Sequence, residues 1–390
     1  MTTKAIAIRV PFHAAAMGEE EVQAVSEVIR SGWLTMGART FEFERQFASY
    51  VGAPYAIAVS SCTAGLHLCL EAIGLKPGDE VLVPTTTFTA TAEVVTYLGA
   101  RPVLVDIDAQ TLNLDVVDAT RKITARTRAI IPVHFGGQPC DLAEIQDLAQ
   151  THKLHVIEDA AHALPASYCG KPIGSISELT AFSFYATKTL STGEGGMVTT
   201  SNEDYARRMQ VMRLHGISRD AWKRYSAEGS WHYEVVEAGY KYNLTDIQSA
   251  LGIVQLSKCD AMNQARNRIA KRYTQEFSSI DALEHPEVLP DRTTSWHLYV
   301  LRLRLDRLRT DRGRFIQELG ERGVTASVHF IPLHLQPFYQ KAFDYKAGDF
   351  PMAEQEYQRC LSLPIFPTMT DEEVEQVIWA VRDVVSCWSK

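Results

Sequence analysis

No stretch of this 390-residue chain approaches the length of a membrane span, since even AIAVSSCTAGLHLCLEAIGL (56–75) carries polar residues throughout. There is no internal repeat and no low-complexity tract, which argues against a solenoid or a disordered array. The seven cysteines (Cys62, Cys69, Cys140, Cys169, Cys259, Cys360 and Cys387) form no C-x-x-C pair and are odd in number, so no disulfide framework is indicated. The opening MTTKAIAIRVPFH has neither the apolar core nor the cleavage site of a signal peptide, and the cysteines are therefore expected to be reduced and buried. Cys62, close to the candidate site below, has a second reading as a site residue. A basic excess is lacking too: the formal net charge is −8, which argues against a general nucleic-acid binder while leaving room for a local basic patch. The expectation is a cytoplasmic protein that uses neither nucleic acid nor membrane as a partner and holds no metal.

What the sequence has is alternation. YAIAVSS, EVLVPT, RPVLVDI, RAIIPVHF, LHVIED, TAFSFY and GGMVTT have the apolar character of buried strands. Between many of them lie helix candidates such as TAGLHLCLEAIG, TFTATAEVVTYLG and DLAEIQDLAQTH. Crossover units of this kind build a mostly parallel sheet, here of seven strands in one large α/β domain. Two helices flanking the break SGWLTMG are expected before it, over residues 17–50. A long helix is expected after Asn243, with Thr245 and Gln248 at capping-box spacing. The remainder reads as a smaller α+β unit: strand HLYVLRLRL, helix TDRGRFIQELGERG, strand TASVHF and a final helix DEEVEQVIWAVRDVVSCW. The expected division is 1–255 and 256–390.

Two charged residues stand at strand ends. Lys188 follows the apolar run TAFSFY and precedes the glycine-rich TGEGG, and Asp159 ends HVIED. In α/β sheets ligands bind at the carboxyl ends of strands, so both side chains can face one pocket. A lysine there can form a Schiff base and an aspartate can pair with a pyridinium nitrogen, the pairing that pyridoxal 5'-phosphate (PLP) requires. In SSCTAGLHLCL a strand runs into a helix start, whose free N–H groups attract an anion, and Thr63, Ala64 and Gly65 are small enough to let a phosphate approach. The same residues also serve as ordinary caps elsewhere. Ser183 can complete the phosphate cup or be a buried serine bonded to backbone. Phe88 can stack on a planar cofactor or belong to the core, and His162 can contact the cofactor or be a satisfied core histidine. Trp33, in the break, can simply pack on the body of the protein.

Taken together, SGWLTMG, SSCTAGLHLCL, TTFTATA, PVHFGGQPCDL, VIEDAAHA, FSFYATKTLSTGEGGM, RLHG and GYKYNLTDIQSALG occur in this order over the first 255 residues. They closely resemble the DegT/DnrJ family of sugar-nucleotide aminotransferases, PLP enzymes of the aspartate aminotransferase fold (fold type I). TASVHFIPLHLQPFY and LSLPIFPTMTDEEV extend the resemblance over nearly the whole chain. It implies that Lys188 is the Schiff-base lysine and Asp159 the partner of the pyridine nitrogen. Phe88 would stack on the ring, His162 would sit near the phenolic oxygen, and Thr63, Ala64 and Ser183 would hold the phosphate.

Members of the family are homodimers with shared sites. GYKYNL would reach over from the partner, with Asn243 or Lys241 on phosphate. Many members read N-Y-R where this chain has Lys241-Tyr242-Asn243, and YKYNL resembles the branch acting on UDP-linked 4-keto sugars, including the 4-amino-4-deoxyarabinose enzymes. Trp33, Thr35, Tyr185, His215 and His329 lie in motifs that approach the substrate, and Arg213 and Arg219 are candidates for a pyrophosphate. The resemblance implies L-glutamate as donor and a nucleotide-linked keto sugar as acceptor, in the making of lipopolysaccharide or O-antigen. A sister branch with histidine at the lysine position performs dehydration, so Lys188 favours transamination. A C3 aminotransferase on a dTDP-3-keto sugar and a non-catalytic regulator on the same fold are the alternatives.

Overall fold

The computed structural model describes residues 9–217 and 233–390. Strands β1 (Tyr55–Val59), β2 (Glu80–Pro84), β3 (Arg101–Val105), β4 (Thr127–Ile130), β5 (His155–Asp159), β8 (Leu179–Ser183) and β9 (Gly196–Thr200) form one seven-stranded sheet in the order β1-β9-β8-β5-β4-β2-β3. All pairings from β8 through β5, β4 and β2 to β3 are parallel, and only β9 runs antiparallel to its neighbours β8 and β1. These are the seven runs expected from sequence. Their near-continuous apolar character follows from burial on both faces.

Helices α3 (Cys62–Ala72), α4 (Ala90–Tyr97) and α7 (Glu203–Met212) contribute Leu66, Val94 and Met209 to the core on one face of the sheet. Helices α1 (Glu19–Ser31), α2 (Ala38–Val51), α5 (Val116–Lys122) and α6 (Leu142–His152) precede or follow strands as the alternation required. Phe43 and Phe47 of α2 and Ile145 of α6 fill the opposite core. A hairpin of β6 (Ser167–Tyr168) and β7 (Lys171–Pro172) pairs with β11 (Arg292–Thr293) at the edge.

Helix α8 (Asp246–Phe277) carries the expected capping box: Thr245 Oγ1 accepts from the Gln248 N–H, and Gln248 Oε1 from the Thr245 N–H. It runs unbroken through residue 255, where the division of the chain was expected. Its second half packs with α9 (Arg312–Glu321), α12 (Asp371–Trp388) and a three-stranded sheet of β10 (Leu283–Glu284), β12 (Tyr299–Leu303) and β13 (Cys360–Leu363) around a third core. Short helices α10 (Pro337–Phe343) and α11 (Pro351–Arg359) complete this unit.

The expected strand TASVHF is not a strand. Within it only Ser327 bridges, to Ser362 on the edge strand β13, and the chain leaves that strand after this one pair, as Val324 just before it bridges instead to Val10. The irregular path carries His329 and Phe330 to the large sheet. Five cysteines are buried, and Cys169 and Cys387 are exposed, against the expectation for those two. Among the described residues no helix is long and apolar enough to cross a membrane.

Candidate active site

At the carboxyl ends of β1, β2, β5 and β8 lies a cavity of about 470 Å³, lined by Thr63, Phe88, Asp159, His162, Ser183, Tyr185, Lys188 and His329 among others. Asp159 and Lys188, 29 positions apart in sequence, thus open on one space. Alternation along β5 explains the placement of Asp159: successive side chains point to opposite faces. Glu158 therefore points away, where its buried carboxylate accepts from His134 Nε2 at 2.7 Å and from the Ser177 N–H at 3.0 Å. Asp159 is left facing the cavity, its Oδ2 accepting from Thr91 Oγ1 at 2.8 Å and its Oδ1 from the Ala161 N–H at 3.1 Å. Burial pushes its carboxyl above the ordinary range, and these two bonds and the nearby Lys188 charge oppose that rise.

Lys188 lies five residues past the end of β8, on the loop that returns to β9. Its amine is pushed down from 10.5 to about 8, chiefly by burial, with the nearby Asp159 opposing the drop and Arg266 adding to it. Its Nζ sits 3.4 Å from Nε2 of His297. The loop returns tightly: a Cβ on Gly196 would come within 2.7 Å of the backbone of Ser61 and Cys62, so only glycine lets β9 press against the start of α3. At that start Ser61 is the N-cap, its Oγ accepting from the Ala64 N–H at 3.1 Å. The remaining free N–H groups and the positive end of the helix dipole face the cavity beside Thr63 and Ser183.

Phe88 is 60% exposed although it lines the cavity, so one face of its ring has no protein cover. His162 lies between Phe330, with ring centroids 6.0 Å apart, and His297, at 4.2 Å. Burial and the Lys188 charge push its pKa well below the ordinary value, so it is neutral. His329 is pushed down to about 4 by burial, and its Nδ1 bonds Ser362 Oγ at 2.9 Å.

Other expected site residues lie elsewhere in this chain. Ala64 uses its N–H in the cap and does not line the cavity. Trp33 and Thr35 belong to the approach to α2: Trp33 Nε1 donates to the Met36 carbonyl, and the Thr35 carbonyl accepts from the Asp246 N–H. His215 is exposed at a left-handed turn after α7. Asn243 bridges to Val59 at the end of β1, with its Oδ1 buried and unpartnered among the described residues, while Lys241 is exposed. Arg213 is not available to a pyrophosphate. It is buried and paired with Glu44, and its Nη1 also donates to the Ala58 carbonyl at 2.8 Å. Arg219 lies outside the described residues. Sequence reasoning missed Thr91, His297 and Phe330. Thr91 sits in the quoted TTFTATA, one turn past Phe88, and that spacing was the available signal.

The donor set fits PLP. A helix start beside two hydroxyls suits a phosphate, and a bare aromatic face suits a planar ring. A buried carboxylate suits a protonated ring nitrogen, and a lysine held at about 8 is partly neutral and so nucleophilic.

A model of the DegT/DnrJ/EryC1/StrS aminotransferase family matches residues 15–382. An uncharacterised protein of Methanocaldococcus jannaschii is 53% identical over 370 residues, 95% of this chain and 96% of its own. The spore coat polysaccharide biosynthesis protein SpsC of Bacillus subtilis is 50% identical over 376 residues, 96% of this chain and 97% of its own. Among solved structures, Spr1654 from Streptococcus pneumoniae, assigned as a sugar aminotransferase and determined in its PLP form, superposes with a TM-score of 0.91 at 32% identity. The match covers 97% of this chain and 99% of that one. With the family model spanning nearly the full length, the chain belongs to the DegT/DnrJ/EryC1/StrS aminotransferase family, PLP-dependent transaminases of fold type I.

Proposed function

We propose that the protein moves the amino group of L-glutamate to the C4 ketone of a UDP- or dTDP-linked keto sugar. The observation that carries this is the opening of Lys188 and Asp159 onto one cavity. When bound, PLP supplies a carbonyl carbon that amines can condense with and a protonated ring that accepts electrons.

The chain's own residues do the rest. Asp159, buried and acceptor-only when ionised, keeps a proton on the ring nitrogen. Nζ of Lys188 holds the cofactor between turnovers. Once free, it would take a proton from the carbon that bears the donor's amine and deliver it to the carbon on the other side of that nitrogen, which an amine poised near 8 can do in both directions. Thr63 and Ser183 hold the phosphate at the start of α3, with Ala64 as the small residue beside it. Phe88 stacks on the ring, and neutral His162 stands at the phenolic oxygen. Tyr185 and His329, on the cavity wall, meet the sugar.

The protein acts as a homodimer in which Asn243 of one chain completes the phosphate contacts of the other. The likeness of GYKYNL to the family's cross-subunit segment supports this, and the group of Asn243 able to donate to a phosphate is its Nδ2, which within the chain donates to the Leu244 carbonyl at 3.2 Å. Likeness to SpsC, named for spore coat polysaccharide biosynthesis, supports a sugar nucleotide as acceptor.

The C3 alternative on a dTDP-3-keto sugar differs only in which carbonyl is presented. L-Glutamate with a panel of UDP- and dTDP-linked 3-keto and 4-keto sugars, read by mass spectrometry, separates the two. Turnover confined to 3-keto sugars would replace the C4 assignment.

A further inference from the structure

Among the described residues, Nζ of Lys188 makes one hydrogen bond, to Nε2 of His297 at 3.4 Å. The imidazole is 9% exposed and packs on His162. Its other nitrogen, Nδ1, is buried without a partner among the described residues. In most functional histidines a bond to the second nitrogen decides which nitrogen carries the proton. Nothing here makes that choice, so Nε2 is free to serve as acceptor or donor.

The peptide that carries this ring is fixed from several sides. Ser295, fully buried, donates from Oγ to the His162 carbonyl. Trp296 is left-handed at φ 48°, a costly conformation for so large a side chain. Its carbonyl accepts from Nη1 of Arg266 at 3.2 Å, and its ring Nε1 donates to Asn267 Oδ1 at 2.8 Å. Arg266 itself is buried in α8 and donates also to the Ile365 carbonyl at 2.6 Å.

Burial, then the charge of Lys188, with that of Arg266 adding to it, pushes the pKa of His297 well below the ordinary value and keeps the ring neutral. A neutral imidazole accepts at Nε2 from an ammonium in one tautomer and donates to a free amine in the other. A carboxylate can only accept and a guanidinium can only donate.

We propose that His297 is the positioning residue for Lys188, its ring holding the ε-nitrogen in place both when that nitrogen carries its extra proton and when it has given it up. This rests on Lys188 being the reactive amine.

The test uses His297→Phe, which keeps a ring against His162 without its nitrogens, and His297→Gln, which restores a group able to donate or accept. In cofactor-free protein, the pH dependence of Lys188 labelling by an amine-reactive reagent is followed by peptide mass spectrometry. The titratable and charged groups facing the pair are Asp159, Cys62, His162, His329, Arg266 and His13. Bonds to charged donors are the stronger, so losing the acceptor destabilises the ammonium more than the amine. The labelling curve of the phenylalanine protein should move to lower pH, and that of the glutamine protein should stay near wild type.

In the loaded enzyme, the half-reaction with L-glutamate should slow on the order of tenfold to a hundredfold in His297→Phe with KM little changed, as a misplacement of about 1 Å does, and recover in His297→Gln. Superimposable labelling curves for wild type and His297→Phe would overturn the assignment, and so would equal slowing in both variants. A wild-type Lys188 that labels no faster than other lysines would overturn the premise along with it. Should His297→Phe not fold, His297→Asn, too short to reach Nζ, takes its place with the same expected shifts.

Discussion

Lys188 costs the folded chain something before any chemistry begins. Its pKa falls from 10.5 to about 8 on folding, so below about 8 both states are protonated and the full penalty applies. Between about 8 and 10.5 the unfolded chain binds more protons, and stability from this group rises with pH. Lys188→Met should therefore stabilise cofactor-free protein at pH 7 by at most about 3 kcal/mol, less for solvent reaching the cavity, and the gain should fade towards pH 10. Urea denaturation of both proteins at the two pH values measures it. An equal gain at both would mean burial of the charge is not the cause. Arg213 makes the opposite case. Its motif suggested a pyrophosphate contact, yet it is buried against Glu44, and nothing in RLHG reports a partner 169 positions away. Arg213→Ala leaves Glu44 buried and uncompensated, and should cost about 3–5 kcal/mol in a denaturation midpoint, with the cavity side chains in place.

At the scale of elements, the start of α2 depends on a carboxylate from α8. Asp246 Oδ1 accepts from the N–H groups of Gly37 at 2.7 Å and Thr40 at 3.0 Å and from Thr40 Oγ1 at 2.7 Å, and Oδ2 accepts from the Arg39 N–H at 3.2 Å. Asp246→Ala should cost about 2–4 kcal/mol, and Asp246→Asn less, because an amide oxygen still accepts. Circular dichroism during urea unfolding checks the order. An alanine variant as stable as wild type would show that water replaces the carboxylate freely. Local order of this kind was readable: the seven runs, α1, α2 and the α8 capping box all stand where apolar spacing and end residues put them. Its use between elements was not. Thr245 announced a helix start, but that Asp246 also caps a second helix depends on packing. TASVHF alternates like a strand, yet it meets the edge strand β13 at a single pair, Ser327 with Ser362, and that parting is not written in its alternation. His297 opened the expected strand HLYVLRLRL, where nothing in the local pattern distinguishes a ring aimed at a lysine 109 positions away. Lys188 and Asp159 were legible because strand ends in a parallel sheet converge, so position along the chain implies position in space.

At the scale of the whole molecule, the proposed dimer makes a prediction that a single-chain site cannot. If Asn243 of one chain serves the site of the other, Lys188→Ala and Asn243→Ala each inactivate both sites of their own homodimers. On mixing with subunit exchange, a hybrid pairs the intact Asn243 of the first variant with the intact Lys188 of the second. That makes one complete site and one doubly damaged site. Random pairing makes half of the dimers hybrids, each with half of its sites whole, so activity should return to about a quarter of wild type under the twofold symmetry of such dimers. The recovery should grow with exchange time and vanish if the variants are cross-linked before mixing. A mixture that stays at the average of its two parents would place Asn243 in its own chain's site or outside the site altogether. The bridge it makes to Val59, at the end of the strand leading into Ser61 and Thr63, would then be its whole contribution.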